Sequence, residues 1–443
     1  MTIKRPARRR TTALAVLAAV GALLLGACSS GGVVTVTVTS TPGVPLQQSP
    51  TGSATAQSDS PAVATDNAPT TTDGTSVPPR SLAAAIRVTA NPTFGTKNIG
   101  PNDPIVITVF NGKIKDMTVT GDDGTSVAGT IGNDNSTFTV SERMAYGTTY
   151  TFAGTAVAAD NSTKPITGTL STIKPASTVL ASVQLPEAGT FGIATPIILT
   201  FYGAIQDKAT AQKALKVTTD KGTIEGSWGW VQDEDFTNSG HLESQVHFRP
   251  KEYWPANTHV TVTANLAGVN YGNSWGREDF VRHFTIGRSL RLVADVKTFH
   301  LVVWKDGSIY RNYPVSYGAE TEKGTQTVSG THIIQEKYPS FAMSNPQFGY
   351  YNLQEKWAQR INNNGEFIHE NAAVEKAGFL GIKNVSHGCV NMGAKDAQEL
   401  YGMTLYGDPV EVSNTGVKMT PSDAIYDWGY SWDQWQTLSA LGA

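Results

Sequence analysis

A chain of 443 residues, 40% hydrophobic and 16% charged, allows roughly two to four domains with sizeable cores. Its 34 basic and 37 acidic residues give a net charge of −3, which leaves no basic field for phosphate-driven nucleic-acid binding. Two cysteines, Cys28 and Cys389, are too few for a disulfide scaffold or a structural zinc site.

The N-terminal residues read as an export signal. Lys4, Arg5, Arg8, Arg9 and Arg10 precede an apolar run from Ala13 to Leu25 that is too short to span a bilayer. The run ends in Leu25-Gly26-Ala27-Cys28, which resembles a bacterial lipobox; residues 1–27 are then a lipoprotein signal peptide and Cys28 the lipidated residue. Acyl chains contribute about 0.8 kcal/mol per buried methylene, so a diacylglyceryl cysteine makes a stable anchor on the outer face of the cell membrane. Arg8-Arg9-Arg10 also suits a twin-arginine exporter, and the route stays open.

Residues 28–82 form the expected tether. From Ser29 to Ser81 there is no aromatic residue, and only Asp59, Asp66, Asp73 and Arg80 are charged. Such a segment cannot bury enough apolar surface to offset its ordering entropy, and it reaches roughly 40 Å as a random coil. The Thr-Val alternation from Val33 to Thr39 is its one strand signal.

Short, alternating, β-branched segments punctuated by turns then run to Gly287, which predicts two immunoglobulin-like sandwiches over 83–175 and 176–287. An internal repeat supports the division: Pro104 to Phe110 echoes Pro196 to Tyr202, Tyr146 to Phe152 echoes Trp254 to Val260, and both units end in Thr-Ile. Asp233-Glu234-Asp235 is read as a solvated hairpin tip rather than a metal site.

Residues 288–413 carry the chemistry. Leu290–Asp295, His300–Trp304 and Ile309–Ser316 read as strands, and Gln354 to Ile361 as a helix. A lone exported cysteine, preceded by glycine and near two histidines, is a nucleophile candidate. The thiolate is the attacking species, so an imidazole must take the proton, and the glycine lets backbone N–H groups face a developing oxyanion. The remaining residues, 414–443, are Trp-rich. Trp428, Trp432 and Trp435 follow the spacing of one helical face and are expected to pack on the catalytic domain.

His369, followed by Ser386-His387-Gly388-Cys389-Val390-Asn391, resembles the signature of L,D-transpeptidases of the YkuD type. The order of lipobox, tether, two immunoglobulin-like domains, catalytic domain and Trp-rich tail is similar to the mycobacterial and related actinobacterial members. The resemblance implies a mostly β protein with Cys389 as nucleophile and His369 as base. It further implies an oxyanion hole of the Gly388 and Cys389 N–H groups closed by Tyr351 from a lid, with the adjacent Tyr350 as the alternative. Ser386 and His387 are then expected to brace the cysteine loop, and Asn364, Gly365 and Asn391 to line the substrate cleft. The family orients its histidine through the backbone carbonyl of the next residue, usually a serine; here that residue is Glu370, whose carboxylate is placed to shift the histidine's titration. The sequence also has Val328 where the family favours proline.

The implied reaction takes tetrapeptide stems of peptidoglycan as donor and acceptor, joins third residues through a cysteine thioester and needs no cofactor or metal. Acylation by carbapenems is expected. The alternatives are a non-catalytic peptidoglycan-binding lipoprotein, or the same thioester spent on L,D-carboxypeptidase action or attachment of protein to the wall. The presence of Cys389, His369 and Gly388 together favours catalysis.

Overall fold

The computed structural model describes residues 34–36, 84–320, 324–423 and 425–442. The signal peptide, Cys28 and most of the tether lie outside the described residues. Three hydrophobic cores follow one another along the chain, built from residues 86–170, 179–286 and 290–412.

The first two cores are β-sandwiches, and the repeat shows why. Ile105, Ile107 and Val109 are buried behind Pro104, and Ile197, Leu199 and Phe201 are buried at the same spacing behind Pro196. Alternation of this kind presents one strand face to the facing sheet. In the first sandwich, Arg87–Asn91, Val106–Phe110, Thr137–Val140 and Gly129–Ile131 face Lys113–Gly121, Thr149–Val157 and Thr163–Ser171. In the second, Ala181–Val183, Ile197–Phe201, Ser244–Pro250 and Gly226–Trp230 face Leu215–Thr219, Thr258–Ala264, Phe280–Ile286 and Gly189–Phe191. The Thr-Val alternation of the tether is not solitary: Val34–Val36 pairs antiparallel with Leu215–Thr219. At the tip of the acidic run, Asp235 accepts the Ser239 and Gly240 N–H groups at 2.7 and 3.0 Å and so closes its own loop.

The sandwiches meet through polar contacts, with Asn102 Nδ2 donating to the Ala267 carbonyl at 2.8 Å and Arg143 paired with Asp279 at 2.7 Å. The second sandwich is joined to the catalytic unit far more closely. Gly192 and Ala194 donate their N–H groups to the Tyr406 and Gly407 carbonyls at 2.7 and 2.9 Å. A Cβ on Gly192 would stand 2.2 Å from the Asp408 nitrogen, so a glycine is required there.

The Trp-rich tail completes this joint, and here the sequence reading is corrected. Trp428 lies in a 3-10 turn (Asp427–Gly429) and the other two in a short helix (Trp432–Gln436), so the three do not share one helical face. They converge instead on Arg249 of the second sandwich, whose guanidinium lies 4.7, 5.3 and 5.2 Å from the ring centroids of Trp428, Trp432 and Trp435. Trp435 is fully buried and donates to the Ser227 carbonyl at 3.0 Å, while the buried Asp427 pairs with His247 at 2.9 Å. The tryptophans therefore pack on the second sandwich, because the cation and the open carbonyls that suit indole rings are found there, while residues 415–423 lie along the catalytic unit, where the Met419 N–H donates to the Ser329 carbonyl at 2.8 Å.

The catalytic unit holds two sheets. The first runs β3–β2–β1–β9–β4, from β1 (Leu290–Asp295), β2 (His300–Lys305), β3 (Ser308–Pro314), β4 (Gly330–Ile333) and β9 (Pro409–Ser413). The second runs β5–β6–β7–β8, from β5 (Glu336–Asn345), β6 (Tyr350–Arg360), β7 (Phe367–Glu370) and β8 (Val390–Met392). The helix expected over Gln354 to Ile361 is strand β6. Its residues are good helix formers, but pairing with β5 along most of its length overrides propensity. Trp357 has a positive φ of 53°, which breaks the strand alternation so that Ala358 and Gln359 are both buried and the apolar spacing imitates a helix.

Candidate active site

The register of the second sheet assembles the site. Strands β7 and β8 run parallel with His369 opposite Asn391, which brings the imidazole beside Cys389, the residue that leads into β8. His369 is buried at 4% exposure and Cys389 is half-buried, its Sγ 3.8 Å from the Gly365 carbonyl oxygen. The His369 Nδ1–H donates to the Glu370 carbonyl at 2.7 Å, which leaves Nε2 for the thiol. A second acceptor approaches the same Nδ1: Glu355 Oε2 of β6, at 3.4 Å. Burial alone pulls an imidazole down, but hydrogen bonding to Cys389 and Glu355, together with their charges, outweighs it and pushes His369 up to about 10. The carboxylate that bears on the histidine is thus Glu355, from a strand remote in sequence, and Glu370 contributes its carbonyl.

The cysteine loop is fastened at each peptide. Ser386 Oγ donates to the Cys389 carbonyl at 2.6 Å and accepts the Gly388 N–H at 3.2 Å. Its backbone ties the loop to the segment that follows β3, through Tyr317 and Ala319 at 3.0 and 2.9 Å. Gly388 has a φ of 121°, and a Cβ there would lie 3.2 Å from Glu366 Oε1. Thr327 Oγ1 donates to the Gly388 carbonyl at 2.8 Å and accepts the Gly318 N–H at 2.9 Å. Because the peptide is planar, this hold on the carbonyl aims the Cys389 N–H the opposite way.

This geometry bears on several expected roles. The Gly388 N–H donates to Ser386 Oγ. Ser386 braces the loop by hydrogen bonds, whereas His387 is exposed and lies under the β5–β6 hairpin, stacked on Phe348 at 4.3 Å between ring centroids and on Tyr350 at 5.8 Å. Tyr350 packs on the same apolar cluster as Cys389, and burial followed by the Cys389 charge raises its hydroxyl pKa. Tyr351 is 66% exposed, so of the two neighbours Tyr350 is the one on the cysteine side; neighbours in a strand point to opposite faces. Asn391 is 2% exposed and its backbone pairs with Ser316. Asn364 and Gly365 do stand at the open edge, where Asn364 donates to Asp423 of the tail.

Sequence reasoning missed Glu355, Thr327 and Glu366. Glu366 is buried beneath Gly388, where its carboxyl accepts from Asn362 and from the Val328 N–H, the latter at 3.0 Å. A proline at 328 would have no N–H to give to Glu366. Burial outweighs both donors and lifts Glu366 to about 8. Reading β6 as a strand places Glu355 opposite Phe341, a carboxylate against an aromatic face, and that mismatch was the available signal.

Comparison with known proteins places both parts of the chain in known families. The bacterial Ig domain family matches residues 96–270, and the L,D-transpeptidase catalytic domain matches residues 289–412. L,D-transpeptidase 5 of Mycobacterium tuberculosis is 39% identical over 359 residues, covering 81% of this chain and 78% of that protein. L,D-transpeptidase 2 of Mycobacterium tuberculosis is 30% identical over 364 residues, covering 80% and 85%. Among solved structures, the LD transpeptidase LdtMt1 in complex with imipenem is 25% identical, covers 54% of this chain and 100% of that one, and has a TM-score of 0.43. With relatives of 39% and 30% identity over four fifths of its length, the chain belongs to the L,D-transpeptidase family.

Proposed function

We propose that the chain is a lipid-anchored peptidoglycan L,D-transpeptidase that acts through a Cys389 thioester. The observation that carries this reading is His369, whose Nδ1–H is fixed by the Glu370 carbonyl while its other face meets Cys389. Cys389 Sγ attacks the carbonyl carbon of the third residue in a tetrapeptide stem, and the Cys389 N–H together with the Tyr350 hydroxyl receives the developing oxyanion. His369 protonates the departing D-alanine nitrogen, and the thioester remains. The side-chain amine of a neighbouring stem's third residue then gives its proton to His369, attacks the thioester carbonyl and expels the thiolate, leaving a cross-link between third residues. Asn364 and Gly365 edge the cleft that receives the stems. Anchored at Cys28, the tether and sandwiches set the reach of this site from the membrane.

A nucleophile of this kind also opens the strained carbonyl of a carbapenem. Intact mass of the chain mixed with imipenem is expected to show one covalent adduct, and a Cys389→Ala variant none. Stem tetrapeptides then reveal the acceptor, since loss of D-alanine without dimer formation would mark a carboxypeptidase. A folded wild-type chain that gains no mass would refute the thioester.

A further inference from the structure

The β5–β6 hairpin brings more than a lid over the cysteine. Glu355 lies in the middle of β6, 8% exposed and opposite Phe341 of β5, on the hairpin whose Met343 and Ala358 build a small apolar cluster. A carboxylate buried in such company is destabilising unless paired, and its ion-pair partner among the described residues is His369 at 3.4 Å. Cys389 and Glu355 are the charged groups that act on the imidazole from the elements packed against it, with Glu370 supplying its carbonyl.

We propose that Glu355 is a positioning residue that completes a Cys389–His369–Glu355 relay, delivered to the base by the lid hairpin. The proposal rests on the reading of Cys389 as nucleophile and His369 as base. The two acceptors on Nδ1 divide the work. The Glu370 carbonyl at 2.7 Å sets the tautomer, and as a neutral group it adds little for the charged ring. The Glu355 carboxylate stabilises the imidazolium itself, so the thiolate–imidazolium pair persists to higher pH. Phe348 and Tyr350, at the tip of the same hairpin, rest on His387. Charge on the base and closure of the lid are therefore properties of one structural element, and His369 holds its proton most firmly when the site is covered. Such coupling serves the chemistry, because the proton is needed for the leaving nitrogen once the donor is enclosed.

The test is the pH–rate profile of acylation by imipenem, followed by intact mass, in wild type, Glu355→Gln and Glu355→Asp. The alkaline limb reports loss of the His369 proton. Removing the carboxylate charge is expected to move that limb about one unit or more toward acid, and Glu355→Asp, which keeps the charge, to stay near wild type. An alkaline limb of Glu355→Gln that superimposes on wild type, whatever the rate, overturns the proposal, since a merely structural role lowers the rate without moving the limb. A nuclear magnetic resonance titration of His369 in Cys389→Ala decides the matter even if Glu355→Gln does not fold. With the thiolate gone and Glu355 present, the midpoint is expected above the ordinary 6.5, and a midpoint at or below it refutes the relay. Absence of any imipenem adduct on wild type counts against the thioester instead, and the titration still judges Glu355.

Discussion

The cysteine loop lies between two supports of opposite construction. Above it the lid hairpin offers aromatic rings, Phe348 and Tyr350, that stack on an exposed His387, and Tyr350 packs on the same apolar cluster as the half-buried Cys389. Below it Thr327, Glu366 and Asn362 are buried and bonded to one another's backbone or to the loop. In the proposed mechanism the floor acts on the backbone that carries Cys389, and the lid acts on the His369 proton and the oxyanion. Rigid, fully bonded groups suit the first task, because an oxyanion donor misplaced by a fraction of an ångström loses its effect. A hairpin that meets the loop through ring contacts suits the second, because in the proposed reaction stems must enter and leave.

Breaking the floor is expected to have the largest effect. Gly388→Ala forces a side chain into the left-handed region and against Glu366, and should lower the acylation rate by roughly 100-fold or more. Thr327→Val frees the Gly388 carbonyl and strands the Gly318 N–H, costing about 1–3 kcal/mol of stability and releasing the Cys389 N–H from its aim. Imipenem acylation kinetics beside denaturant melts read both effects; unchanged rates in either variant would mean the loop holds itself.

The lid comes next. Tyr350→Phe removes a single hydroxyl and is expected to slow acylation by about 10-fold, whereas Tyr351→Phe should stay within about twofold of wild type, since its ring stands in solvent. The reverse order would return the lid role to Tyr351. Sequence alone left these neighbours undecided, because adjacent strand residues differ only in which face they present, and the face is set by pairing with β5.

The smallest effect sharpens the comparison through pH. Glu366, lifted from 4.5 to about 8, keeps a proton that the unfolded chain has released, so the wild type loses stability as pH rises through that window. Glu366→Gln lacks this loss. Its melting temperature relative to wild type should therefore climb by a few degrees between about pH 5 and pH 8. A pH-independent difference would show that the floor glutamate does not hold its proton.

Contiguous features of the sequence determined the β class, the tandem sandwiches and the Ser386-to-Asn391 loop with His369 upstream. Alternation, a repeated strand and a six-residue motif are short-range patterns, legible wherever local propensity and packing agree. The Trp residues of the tail were legible as packing groups, but not their partner, because Arg249 and Ser227 lie far away in sequence. Only tertiary structure decided that Glu355 and not Glu370 faces the imidazole, that Thr327 and Glu366 underlie Gly388, and that the apparent helix is strand β6. Each of these turns on long-range strand register, where a slip of one residue exchanges a buried face for an exposed one and where propensity carries no information about the partner.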